Sequence, residues 1–308
     1  INKFFKQKGG LYNRANSKMY LSPFTLAETE QYLQKQGFEM ERYDIAQVYM
    51  IMGGIPYYLK QLEPGRTLAD NIDNCFFKKN GKLWDEFDNL YETLFTHSEV
   101  YVKITSALAS KRIGLTREEV ITLTKLPDNG MTSQALKNLV KCGFVRAYHY
   151  YGRKNKTMTY QLADFYTLFY YKFIEDNYGR DEHFWTHMLD NPKKNSWLGY
   201  SFEQLIKDHI DQLKRALGIG SVLTQQSSWF IEQRDLNDKD LDGAQIDLLI
   251  DRRDKAINIC EAKFYSGEFA IDKAYSLKIR NKIAAFKSAT GTRKAIVPTI
   301  VTTFGLKH

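Results

Sequence analysis

Apolar positions recur at helical spacing over most of the chain and at strand spacing near its end. Leu26, Thr29, Tyr32 and Leu33 line one face of a helix opening at Ser22-Pro23-Phe24-Thr25, where Thr25 and Glu28 form a capping box. A second helix, roughly 43–52, stops at the breaker Gly53-Gly54-Ile55-Pro56. Three helices and a hairpin follow over 98–160. Ile104, Ala107 and Leu108 face inward on the first, and Thr116 caps the second with Glu119 three residues on and Val120, Ile121 and Leu123 behind. Thr132 or Ser133 opens the third, whose stripe is Ala135, Leu136, Leu139 and Val140 and whose end is Gly143. Segments 144–151 and 157–162 read as strands around a basic tip, and 164–173 as an aromatic helix that packs. Further on, a helix begins near Trp197, strands cover 245–251 and 257–263, a basic helix spans 270–288, and a last strand spans 294–302.

Length and composition narrow the class. With 308 residues, 43% hydrophobic and 26% charged, the chain has material for two or three cores and is neither disordered nor collagen-like. The most aromatic run, Phe165 to Ile174, is broken by Lys172, so no stretch reaches a bilayer span, and the first residues lack the apolar core of a signal peptide. Cys75, Cys142 and Cys260 are odd in number, widely spaced and form no C-x-x-C, which predicts a reducing, cytoplasmic compartment. The chain opens at Ile1 without Met, which predicts a preceding portion.

The net charge of +8 is unevenly spread. Residues 97–160 carry 11 basic and 4 acidic residues, +7, whereas 1–96 balance at zero. Such a basic block is the footprint of a phosphate-facing module, although a solvated surface would look the same. Its order of elements is that of a winged helix-turn-helix, in which the third helix enters the major groove and the wing follows the phosphates. The residues predicted to meet DNA are Ser133, Gln134, Lys137 and Asn138 on the helix and Arg153, Lys154 and Lys156 on the wing.

Leu21-Ser22-Pro23-Phe24 with Glu28, followed by Gly53-Gly54-Ile55-Pro56-Tyr57-Tyr58-Leu59, resembles the lid of AAA-type ATPases, in particular the archaeal-type ATPase family that also occurs in bacteria. Asp164 to Phe173 resembles the helix that opens the C-terminal region of that family. A phosphate loop is missing, since Gly81-Lys82 lacks the earlier Gly and the following Ser or Thr. ATP is therefore expected only in the intact protein, as is any homo-oligomer formed through the ATPase. Arg14 is a basic residue that could stand near such a nucleotide in the intact protein, although a single Arg in a polar stretch is more often solvated.

The chemistry is predicted on a hairpin. Asp251 to Lys255 is an all-charged turn, and centring it on Asp254 places Asp247 across from Glu261, with Lys263 on the Glu261 face. Two close carboxylates repel unless a cation lies between them, and hard oxygen ligands suit Mg²⁺ or Mn²⁺, with the Ala262 carbonyl as a further donor. A metal held beside a lysine can hydrolyse phosphodiesters. Asp247 with Glu261-Ala262-Lys263 resembles the PD-(D/E)xK nuclease superfamily, although Ile246 replaces the Pro of its name. Glu203, in the helix from Trp197, resembles the helical acid that the superfamily often adds to its metal site. The order α, β, β, β, α, β matches the core of that fold over about 110 residues.

The expected fold class is multidomain α+β: an ATPase lid remnant and helical linker (1–95), a winged helix-turn-helix (96–162), a helical connector (163–195) and an α/β restriction-endonuclease-like domain (196–308). The expected function is Mg-dependent cleavage of DNA, with Asp247, Glu261, Lys263 and Glu203 as catalytic residues and DNA, but no membrane, as partner. The alternative is a regulatory or scaffolding ATPase whose last domain only binds DNA or protein. Replacing Lys154 and Lys156 by Ala is expected to weaken duplex binding and to reduce its log–log salt slope by about 0.9 per lost phosphate contact. Unchanged binding in a filter or anisotropy titration would remove the wing from the DNA contact.

Overall fold

The computed structural model describes residues 21–152, 158–236, 238 and 241–307. Arg14 and the wing residues Arg153, Lys154 and Lys156 lie outside the described residues. The fold is mixed α and β, with two antiparallel-containing sheets set among helices. Among the described residues no helix is long and apolar enough to cross a membrane.

Helix α1 (Leu26–Lys35) begins with the capping box of Thr25 and Glu28, and α2 (Arg42–Met52) ends at Gly53, whose φ of 66° is the left-handed conformation that favours glycine. Gly54 shares that φ and lies under Phe24: its carbonyl accepts from the Phe24 amide at 2.8 Å, and an added Cβ would stand 2.3 Å from the Phe24 oxygen. The segments around Phe24 and Gly54 thus pack on one another. Helices α3 (Pro56–Leu59), α4 (Leu68–Ile72) and α5 (Glu86–Leu94) complete the first group, with α4 widening into a π-type turn over Asp73–Phe77.

Helices α6 (Ser98–Ala109), α7 (Arg117–Thr124) and α8 (Gly130–Lys141) pack around Ile104, Leu108, Val120, Leu136 and Leu139. The Thr116–Glu119 capping box opens α7. Helix α8 starts earlier than Thr132 or Ser133, because the Asn129 side chain accepts from the amides of Met131 and Thr132. Strands β1 (Leu115–Thr116), β2 (Val145–Tyr148) and β3 (Thr159–Leu162) form a small antiparallel sheet in the order β1-β3-β2.

The aromatic segment forms α9 (Phe165–Phe169), running into a second π-type turn over Tyr170–Ile174. Phe169 and Phe173 sit against Trp185 and Trp197 at ring separations of 5.1–5.5 Å, joining α10 (Phe184–His187) to α11 (Pro192–Asp208), which α12 (Ile210–Ala216) follows. Last comes a sheet of β4 (Thr224–Ile231), β5 (Ala244–Arg252), β6 (Ala256–Lys263) and β7 (Ala295–Thr302), in that spatial order. Only the β6/β7 pair is parallel, and α13 (Lys273–Thr290) makes the crossover it needs. One face of this sheet, with Leu248, Ile250 and Cys260, joins the main core beside α11. On the other, Ile246, Leu249, Ile257 and Ile259 form a second core with Phe286 of α13.

Buried Asp73 ties the first helices to the connector: its carboxylate accepts from the amides of Trp185 and Thr186 at 2.7 and 3.1 Å and from the Thr186 hydroxyl at 2.6 Å. It supplies the cap that α10 lacks in its own sequence. Asp73→Ala strands these donors and is expected to cost about 3 kcal/mol, read from the shift of a urea unfolding curve. A loss below about 0.5 kcal/mol would contradict the tie.

Candidate active site

Strand β5 would alternate cleanly but for one irregularity. Ser227 pairs with Leu249 and Trp229 pairs with Ile246, so Asp247 and Leu248 together stand opposite Ser228. This is a β-bulge, and it changes which side of the sheet each following residue meets. Ile246 packs with Trp229 and Phe286 on the α13 side, whereas Leu248 and Ile250 pack on the α11 side. The Ser228 hydroxyl holds the bulge by donating to the Asp247 carbonyl at 2.7 Å. Asp247 is turned toward α11, with one carboxylate oxygen accepting from Gln245 Nε2 at 2.6 Å.

The hairpin β5–β6 has the register that its charged turn predicts, with Leu248 opposite Cys260 and Asp251 opposite Ile257, and the ladder ends one step before Asp247 and Glu261. Simple alternation would set both acids on one face; the bulge does not. Glu261 follows Ile257 and Ile259 toward α13, where its carboxylate pairs with Lys282 and faces the Tyr275 hydroxyl at 3.5 Å. Lys263 takes the same side and lies over the Tyr275 ring, 5.0 Å from its centroid. The expected convergence of Asp247, Glu261 and Lys263 on one face is therefore corrected: the ammonium held by Glu261 is that of Lys282.

At the end of the ladder both acids still border one small cavity. Its wall includes Glu203 and Lys207 from α11, Asp247 from β5, and Glu261 and Ala262 from β6. Lys207 and Asp247 also line an adjoining cavity of 170 Å³ against Arg146 and Gln161 of the small sheet. Arg146 reaches across to α11, donating to Gln204 at 2.7 Å and pairing with Asp208. Next to it, the Tyr151 amide donates to the Ser228 carbonyl at 2.9 Å, so the small sheet touches the bulge itself.

Burial and the neighbouring carboxylates of Asp247 and Glu261 push the Glu203 carboxyl up to about 7, against the opposing pull of Lys207 and Arg112. Burial, followed by Arg146, pulls the Lys207 ammonium down to about 8, against Asp247, Glu203 and Asp208. Among the described residues, no three His, Cys, Asp or Glu side chains are gathered closely enough to hold a metal in this arrangement. The donors are nonetheless hard carboxylate oxygens, and a divalent ion there would relieve the part of the Glu203 shift that Asp247 and Glu261 add to burial.

The residues predicted to read DNA divide in two. Gln134 and Lys137 are exposed on α8. Ser133 and Asn138 are half-buried and engaged within the fold, Ser133 accepting from Arg117 Nε at 3.1 Å and Asn138 donating to the Tyr101 hydroxyl at 2.8 Å. Sequence reasoning missed Lys207, although its place four residues after Glu203 on a helix was a visible signal. It missed Arg146 and Tyr275 as well, whose roles arise only from tertiary packing.

Comparison with models of protein families, with curated proteins and with solved structures gives no match to this chain.

Glu203 has a raised pKa, so it weakens the folded state as pH rises from about 4.5 toward 7, and the penalty is complete above 7. In metal-free protein, Glu203→Gln is therefore expected to stabilise by about 1–3 kcal/mol at pH 8 and by nearly nothing at pH 4, read by chemical denaturation. Equal effects at both pH values would refute the charge assignment.

Proposed function

We propose that this chain is the C-terminal part of an AAA-type ATPase, in which a winged helix binds DNA and a PD-(D/E)xK-like unit hydrolyses phosphodiesters with a divalent metal. The observation that carries the reading is the bulge, which brings Asp247 into the cavity already lined by Glu203, Glu261 and Ala262. Further support comes from the element order α, β, β, β, α, β, with helices on both faces of the sheet. The close packing of Phe24 on Gly54 supports the lid resemblance, and nucleotide binding and any ring-like homo-oligomer belong to the intact ATPase.

Asp247 and Glu261, with the Ala262 carbonyl, would hold Mg²⁺ or Mn²⁺, and the ion would supply a polarised phosphate and a more acidic water. Glu203, poised near 7, keeps a carboxyl able to carry or release a proton at the cavity. Lys207 borders the cavity and would offset developing negative charge there, whereas Lys263, the lysine of the motif expected to stabilise the nucleophile, lies over the Tyr275 ring. Lys137 and Gln134 are exposed on α8 and would meet duplex DNA, and the wing would follow the phosphates.

One observation favours a second reading, in which the last unit only docks DNA or protein. Glu261 is already neutralised by Lys282, so metal binding requires that pair to open. Nicking of supercoiled plasmid with Mg²⁺ or Mn²⁺ separates the two. The nuclease reading expects cutting by wild type and a loss of about 100-fold or more in Asp247→Ala and in Lys207→Ala, with unfolding midpoints retained. DNA binding without any cutting by wild type would leave the docking reading.

A further inference from the structure

Away from the acidic cavity, a second cavity of 330 Å³ lies where α6, the π-type turn after α9 and the first half of α11 meet. Ser106, Arg112, Lys172, Glu175, Trp197 and Tyr200 stand in its wall. The Arg112 guanidinium lies over the Tyr200 ring, 5.0 Å from its centroid, and approaches the Ser196 hydroxyl at 3.5 Å. Burial lowers the Lys172 ammonium, and the positive charges of Lys193 and Arg112 lower it further. Lys193 itself sits over the Phe173 ring at 5.5 Å.

Lys172 is thus close enough to Lys193 and to Arg112 for both charges to repel its own. Among the described residues none of them has a carboxylate within ion-pair distance, although elsewhere Lys82, Lys111, Lys282 and Lys294 each have one. Glu175 is the acid on this wall, and burial together with Asp176 raises its carboxyl rather than any cation lowering it. Gathering like charges without a counter-charge is unfavourable, and an anion placed between them reverses the sign of the interaction. Guanidinium and ammonium groups beside a serine hydroxyl form the donor set that recognises phosphate oxygens. Trp197 and Tyr200 are only 2% and 9% exposed, so neither offers a free ring face on which a base could stack. The ligand chemistry is therefore a phosphate group and not a nucleobase.

Position selects the source of that phosphate. Tyr200, Glu203 and Lys207 fall within a narrow arc of α11, and the rise of about 1.5 Å per residue sets Tyr200 about 5–10 Å along the helix from Glu203 and Lys207. Phosphates recur along a nucleic-acid strand at about 3.4 Å per step of the helix axis, so a strand crossing the acidic cavity would bring one within reach of Arg112 two or three steps away. Arg112 is near enough to the cavity for its charge to act on Glu203.

We propose that Arg112 and Lys172 form a phosphate site that holds the backbone of a nucleic-acid strand next to the acidic cavity. The strand as source rests on the nuclease reading, whereas the anion site rests on the cation cluster alone. The test is anisotropy of a labelled 15-nucleotide single strand with the full chain in EDTA, where no cutting is required. Arg112→Ala and Lys172→Ala are each expected to weaken binding about three- to tenfold and to reduce the log–log salt slope by about 0.7, with unfolding midpoints retained. Wild-type affinity and slope in both variants would overturn the proposal. If inorganic phosphate broadens in ³¹P spectra with wild type but not with the variants, while strand binding is unchanged, the strand assignment is overturned in favour of a free phosphate. Variant-sensitive binding without plasmid cutting would uphold this site and remove the nuclease reading; cutting with variant-insensitive binding would do the reverse.

Discussion

A single extra residue in β5, taken up opposite Ser228, decides which helix layer Asp247 meets. Without it, period two would carry Asp247 to the α13 side with Leu249 and Asp251, into the second hydrophobic core. With it, the acid turns to Glu203 and Lys207, and the strand still returns Leu248 and Ile250 to the core beneath α11. The bulge is fastened from both sides. Ser228 donates its hydroxyl to the Asp247 carbonyl and offers its own carbonyl to the Tyr151 amide.

That second bond couples the small sheet to the acidic cavity. Arg146 of β2 reaches Gln204 and Asp208 on the same turns of α11 that carry Glu203 and Lys207. A displacement of the small sheet would strip a guanidinium from α11, change the charge around Lys207 and release the hydrogen bond at the bulge. The Arg146 charge also acts on Lys207, so the small sheet and the cavity share one electrostatic neighbourhood. Helix α11 is the common member: its first half enters the aromatic core through Trp197, and its last turns supply the cavity.

Local signals in the sequence translated well. Thr25 with Glu28 and Thr116 with Glu119 form the capping boxes that their spacing predicts, because a cap depends only on residues within one turn. The hairpin register around the charged turn was legible for the same reason, since the turn fixes it. The Asn129 cap was not, as Gly130 at the first helical position hides the start of α8. The bulge left no mark in Gln245-Ile246-Asp247-Leu248-Leu249, where apolar residues fill positions of either parity and alternation cannot reveal a slip. For that reason Asp247 and Glu261 were read onto one face, and Lys282, twenty-one residues away on α13, was missed as the partner of Glu261.

In the nuclease reading Asp247 and Glu261, though turned to different helices, would share one cation at the end of the β5–β6 ladder. Calorimetric titration of Mn²⁺ into the full chain near pH 7.5 tests it most directly. One site is expected in wild type, lost in Asp247→Asn and in Glu261→Gln and tightened in Lys282→Ala, where Glu261 is released. Binding of Mn²⁺ that is absent in wild type, or that persists undiminished in both acid variants, would contradict it.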